Sequence, residues 1–264
     1  MGQKVKSSGI FLFVVGLVGL ALLAPRAVAQ QQPQSSPSPI PQAANPKTVL
    51  ERAVEMYEAK KYSTALLAFH EAAAAGQVAA AAYLGVMYSE GQGTRVSYVE
   101  AMDWLRKAAG AGDGQAMCNL GILYYRGLGV PRQRYDLAMQ WFRDGAANGN
   151  GQSMFNLGSM YHDGVGAKVD FVEAMKWFVQ AAVNENDKAM NSIGAMYRNG
   201  EGVEASFVEA AKWYRRAADL GNHAAMYNLG ILYQTGEGVP QDEEEAKKWL
   251  AKAGENNTDD DDSQ

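Results

Sequence analysis

Two kinds of apolar pattern alternate along the chain, separated by glycine turns. In the first, apolar residues recur at helical spacing, as in Met154, Leu157, Met160 and Tyr161, and the pattern breaks at Gly164 and Gly166. In the second, Ala174, Trp177 and the Ala181-Ala182 pair keep the same period. No run of period 2 lies between the breakers, so the pattern predicts helices and no strands. The elements expected are a helix A, a Gly-x-Gly turn and a helix B.

This unit is written five times. Leu-Gly or Ile-Gly ends at Gly85, Gly121, Gly158, Gly194 and Gly230, and a tyrosine follows at Tyr88, Tyr124, Tyr161, Tyr197 and Tyr233. Gly-x-Gly comes next, and Trp104, Trp141, Trp177, Trp213 and Trp249 close the copies at spacings of 37, 36, 36 and 36. A period of this length means an array in which each unit packs on its neighbours. Helix A is expected to run from Ala79, Ala116, Ser153, Ala189 and Ala225 to the tyrosine. A mid-helix glycine costs about 1 kcal/mol against alanine, so its recurrence predicts a neighbouring helix too close for a Cβ. The tryptophans share one phase of helix B and are expected in the core. Capping boxes are expected at Ser97/Glu100, Asp170/Glu173, Ser206/Glu209 and Asp242/Glu245. The second copy has Arg134 and Leu137 there, plus one inserted residue, so its turn should be the irregular one.

Ahead of the array, Ala53, Tyr57, Tyr62, Ala65 and Phe69 have the spacing of a tetratricopeptide helix pair, in phase with the repeats. Residues 47–77 therefore read as an atypical first unit that closes one end. Residues 1–29 read as a signal peptide: Lys4 and Lys6, then the apolar run Ile10–Ala24, then Ala27-Val28-Ala29. That run is short for a membrane span, although an uncleaved anchor is the alternative. Cleavage after Ala29 would lower the net charge of −5 by the charges of Lys4, Lys6 and Arg26, to −8, and gives a periplasmic or secreted chain. Residues 30–46, rich in Gln, Pro and Ser, read as a disordered linker, and residues 255–264 as a disordered acidic tail.

Chemistry is sparse. No basic patch stands out, which argues against nucleic acid as a partner. His70, His162 and His223 lie in separate units, so no metal site and no cofactor is implied. A single cysteine, Cys118, allows no internal disulfide. Gly-x-Gly follows a helix and has no lysine after it, so it is not a phosphate loop.

The copies themselves suggest a binding surface. Counting from the mid-helix glycine, positions −3, +1 and +4 vary most and fall on one stripe of helix A. Along that stripe Tyr125, Phe155, His162, Arg198, Tyr227 and Gln234 are the candidate partner-binding residues, with Tyr125, Phe155 and Tyr227 expected as exposed anchors.

The pattern A-x-x-x-L-G-x-x-Y-x-x-G-x-G-V, followed by A-x-x-W-x-x-A-A, resembles the Sel-one-like repeat, a 36-residue relative of the tetratricopeptide repeat, over Val78 to Gly254. The resemblance implies an all-α fold: a right-handed α/α solenoid whose A helices line the concave surface. It also implies adaptor or scaffold work on a protein or peptide partner, often at the bacterial cell envelope. Some cysteine-rich relatives are linked to β-lactam or cell-wall chemistry, which leaves an enzyme as the alternative. This chain lacks their paired cysteines and has no Ser-x-x-Lys in the array, so the expectation is an exported scaffold without enzymatic activity.

Overall fold

The computed structural model describes residues 48–254. The expected leader, linker and acidic tail lie outside the described residues. Those described form twelve α-helices and no strand. A first pair, α1 (Val49–Glu58) and α2 (Tyr62–Ala74), precedes five A–B hairpins. These are α3 (Ala79–Glu90) with α4 (Tyr98–Gly110), α5 (Gly114–Arg126) with α6 (Tyr135–Ala147), and α7 (Gly151–Asp163) with α8 (Phe171–Val183). Then come α9 (Asp187–Asn199) with α10 (Phe207–Asp219), and α11 (His223–Thr235) with α12 (Glu243–Gly254). Each hairpin packs mainly on itself and on the next, which is the all-α solenoid expected from the period. The A helices of adjoining repeats also touch, α3 with α5 and α5 with α7. No described helix is long and apolar enough to cross a membrane.

Four A helices begin two residues earlier than their apolar pattern, because a polar cap stands ahead of it. Asp113, Asn150, Asn186 and Asn222 each accept the backbone N–H three residues on, at Ala116, Ser153, Ala189 and Ala225. The A helices then end on glycine in the left-handed region, such as Gly164 at φ 70°.

The B helices start on a backbone clamp rather than on full capping boxes. Each cap residue donates its N–H to the carbonyl of the repeat's tyrosine: Ser97 to Tyr88, Arg134 to Tyr124, Asp170 to Tyr161, Ser206 to Tyr197 and Asp242 to Tyr233, at 2.8–2.9 Å. Those carbonyls lie in the last turn of helix A and have no partner within it. The cap N–H is thus already satisfied, and the glutamates do not reach back. Glu173, Glu209 and Glu245 instead accept from Lys176, Lys212 and Lys248 at 2.6–3.0 Å. The side-chain half of the box forms at Asp170, Ser206 and Asp242, but Ser97 makes no cap bond. A complete box occurs at Thr48 and Glu51, where no such carbonyl is donated to. The second copy keeps the clamp through Arg134 despite its longer turn.

These caps give a first expected result. Asp170→Ala should cost about 1 kcal/mol, whereas Ser97→Ala should cost at most a few tenths. Chemical denaturation of the two variants separates them, and equal losses would show that the Ser97 hydroxyl does cap α4.

The tryptophans are not the buried residues of helix B. Trp104, Trp141, Trp177 and Trp213 are half-buried, and only Trp249 is buried. The residue after each of the first four lies deeper: Leu105, Phe142, Phe178 and Tyr214 are all at most 2% exposed. Several indole faces carry cations instead, with Lys107 Nζ 3.8 Å from the Trp104 ring and the Arg216 guanidinium 4.3 Å from Trp213.

The first pair packs on the first repeat. Ala53, Ala65 and Phe69 are fully buried, and Phe69 stacks on Tyr83 of α3 at 4.5 Å. Tyr57 meets Tyr62, Phe69 and Tyr83 edge-on, so an aromatic cluster joins this unit to the first repeat.

Candidate functional site

The six stripe residues do not share one environment. Tyr125 is half-buried, its ring edge-on to Tyr135 of α6 at 5.2 Å. Phe155 is 7% exposed and packs on Phe178 at 5.7 Å, so the expectation of an exposed anchor there is corrected. His162 is half-buried between two carboxylates, Asp163 at 2.8 Å and Glu201 at 3.1 Å. Arg198 and Gln234 are exposed at the ends of their helices. Tyr227 is 55% exposed on α11 of the last repeat.

The physical reason lies in what position −3 faces. Cys118 Sγ accepts from the Asn156 amide of the next A helix at 3.7 Å, and Asn191 Oδ1 accepts from Asn228 at 3.0 Å. In these two copies position −3 therefore meets the following repeat, and its side chain is matched to that joint. Variation among copies there reflects different fillings of a joint. Tyr227 is open because α11 has no following repeat among the described residues.

The exposed side of helix A lies further round. Glu90, Arg126, Asp163, Asn199 and Thr235, at position +5, are all exposed. Gln115, Gln152 and Lys188, at position −6, are half-exposed. The two positions are eleven residues apart, close to three full turns, so they share a face. The signal was present in the sequence, since both positions carry polar residues of differing kind in most copies. Amide side chains form a row beside this side, with Asn119 and Asn156 buried beneath it. Gln115 donates to Asn119 at 3.1 Å and accepts from Asn150 at 3.0 Å, and Gln152 donates to Asn156 at 3.0 Å. Asn222 donates to Asp187 at 2.7 Å.

The electrostatics give little reactive chemistry. Burial pushes the Cys118 thiol up to about 12, so it stays protonated and unreactive near neutral pH. Hydrogen bonding to Asp163 and Glu201 outweighs desolvation at His162 and holds its pKa above 6.5. Among the described residues no group of three or more His, Cys, Asp or Glu could hold a metal ion. An open depression of about 400 Å³ lies at the far end between His223, Met226, Trp249 and Lys252, and no serine, threonine or cysteine lines it.

The Sel1 repeat sequence model matches residues 78–113, 114–150, 151–182, 187–222 and 223–257, in register with the five hairpins. The chain belongs to the Sel1 repeat family. Its solved relatives agree. A Sel1 repeat protein from Oxalobacter formigenes is 33% identical with a TM-score of 0.74, covering 77% of this chain and 83% of that one. A protective antigen of uropathogenic Escherichia coli with an SLR fold is 32% identical with a TM-score of 0.72, over 78% of this chain and 44% of that one. This chain thus spans less than half of the E. coli antigen. An immunity protein from Pseudomonas aeruginosa shares the fold at 16% identity and a TM-score of 0.53, over 76% of this chain and 81% of that one. No curated protein matches the chain. Sel1 repeat proteins are generally protein-interaction scaffolds, not enzymes.

Proposed function

We propose that this Sel1 array is an exported scaffold that holds a protein or peptide partner along a concave surface formed by its A helices. The observation that carries the reading is the row of amide side chains on those helices. Asn191 and Asn228 are half-exposed, and one hydrogen bond joins them, from Asn228 Nδ2 to Asn191 Oδ1. An amide group has two donors and an acceptor with two lone pairs, so the Asn191 nitrogen and the Asn228 oxygen retain capacity. An extended peptide offers one donor and one acceptor per residue, and a row of amides can satisfy both. Arg198 and Gln234 stand exposed at the ends of the same helices and would add side-chain contacts. Export is supported by the reading of residues 1–29 as a signal peptide cleaved after Ala29.

The test is selection of a displayed peptide library against the chain from Gln30 onward. Peptides that bind should lose at least tenfold in affinity to a variant carrying Asn191→Ala, Arg198→Ala and Asn228→Ala. They should bind Val183→Ser, at the exposed C-terminal end of α8, as tightly as the unaltered chain. Selected peptides indifferent to the triple change and sensitive to Val183→Ser would overturn the assignment of the surface.

A further inference from the structure

The joints between successive units are not built alike. At four of the five, the residue two after the tryptophan register bonds to the hydroxyl of the tyrosine in the next A helix. Arg106 donates to Tyr124 at 3.1 Å, Arg143 to Tyr161 at 3.1 Å and Arg215 to Tyr233 at 2.7 Å. In the first unit His70 takes this place against Tyr88 at 3.1 Å. At the joint between the third and fourth repeats the position is Val179, whose side chain cannot donate to Tyr197.

Two further kinds of cross-joint bond, each present at the second-to-third and fourth-to-fifth joints, are also not made there. Asn150 reaches back to Gln115 across the second-to-third joint, and Asn222 to Asp187 across the fourth-to-fifth. Asn186 stands in the same register, but the hydrogen bond its side chain makes is its own cap bond, to Ala189. Asn156 and Asn228 bond back to Cys118 and Asn191. Their counterparts at the third-to-fourth joint are Ser192 and Phe155, and Phe155 has no acceptor.

What this joint has instead is His162. Its Nε2 lies 3.1 Å from Glu201, in the turn after α9, and its Nδ1 lies 2.8 Å from Asp163 on its own helix. Ionised carboxylates only accept hydrogen bonds, so both contacts form together only when both ring nitrogens carry a proton. The neutral ring must give one up. The contact to Asp163 is shorter and local in sequence, so the bond to Glu201 is the one released. We propose that His162 makes the third-to-fourth joint a proton-dependent hinge, closed when the imidazolium holds Glu201 and loosened when it is neutral.

The groups facing this site support the assignment. From α8 comes the Phe171 ring, 5.3 Å from the imidazole and without charge. From α9 come Arg198, bonded to Asn199, and Asn199, which donates to Glu201 at 3.2 Å. From α5 comes Tyr125, which feels Asp163, and from α10 Tyr214, which feels Arg198 and Glu201. Two carboxylates thus meet the histidine directly, while Arg198 donates to Asn199. The folded-state pKa is raised above 6.5. The stabilisation of the joint is therefore fully present below pH 6.5 and lost as pH rises through the folded value.

Hydrogen exchange and an NMR titration of His162 on the chain from Gln30 onward test this together. Between about pH 6 and about pH 9, protection of amides in α9, corrected for intrinsic rate, should fall by up to tenfold for each pH unit by which the titration exceeds 6.5. Protection in α5 should not change, because Arg106 and Arg143 keep their charge. His162→Gln should remove the response of α9. Val179→Arg restores a donor opposite Tyr197 and should remove it as well, while His162 continues to titrate. Unchanged α9 protection in the unaltered chain, or a response that survives His162→Gln, would overturn the hinge. So would a pH response of equal size in α5.

Discussion

Replacing Phe142 by alanine is expected to lower stability by about 3–5 kcal/mol, the range for truncating a fully buried aromatic ring. Its ring lies directly over Gly121 of α5, where a Cβ would come within 2.5 Å of Phe142 Cε1. The same pairing occurs in every repeat: Gly85 under Leu105, Gly158 under Phe178, Gly194 under Tyr214 and Gly230 under Leu250. The glycine is a socket and the residue after the tryptophan is the knob. Leucine fills the socket in the first and last repeats, so Phe142→Leu should cost only about 1–1.5 kcal/mol. Trp141→Ala should cost less than Phe142→Ala, because Trp141 is half-buried. Chemical denaturation followed by helicity gives the order. A larger loss for Trp141→Ala would mean that the tryptophan, not its neighbour, anchors helix B.

The second large effect concerns the two glycines of one turn. Gly200→Ala and Gly202→Ala both place a side chain at positive φ, 72° and 71°, which costs roughly 1–2 kcal/mol. At Gly200 the new Cβ would come no nearer to any atom than the Ala205 methyl group at 3.3 Å. At Gly202 it would meet the Phe171 carbonyl carbon and oxygen at 2.7 Å, which are backbone of the preceding repeat and cannot move aside. Gly202→Ala should therefore lose roughly 3 kcal/mol or more, with the third-to-fourth joint opening first. Gly93 at Tyr62 and Gly238 at Phe207 meet the preceding unit's backbone in the same way. Equal losses at Gly200 and Gly202 in paired denaturation curves would show that strain alone, without the joint contact, sets the cost.

Much of the fold was legible because it follows from local rules. The helix pattern and the glycine that ends helix A both rest on spacing within a single unit. The A-helix caps Asp113, Asn150, Asn186 and Asn222 were equally local but lay ahead of the apolar pattern, which placed those starts two residues late. The capping glutamates were misread for a tertiary reason. Glu173 and Glu209 find no free cap N–H, because a tyrosine carbonyl from the other helix already holds it.

The candidate surface shows the same division. Variation among copies at positions −3, +1 and +4 was visible in the chain, but a position can vary because it is free or because each joint is filled differently. Phe155 and Tyr227 occupy the same position, one buried against Phe178 and one 55% exposed on a helix with no following repeat among the described residues. The sequence by itself determined the unit, its period and the family, since these depend on residues that a single hairpin brings together. The tertiary structure alone decided which face of helix A meets water, why the turn glycine Gly202 is required, and where His162 finds its second carboxylate. Those depend on contacts between repeats, and a sequence period states that repeats stack without stating which side chains meet when they do.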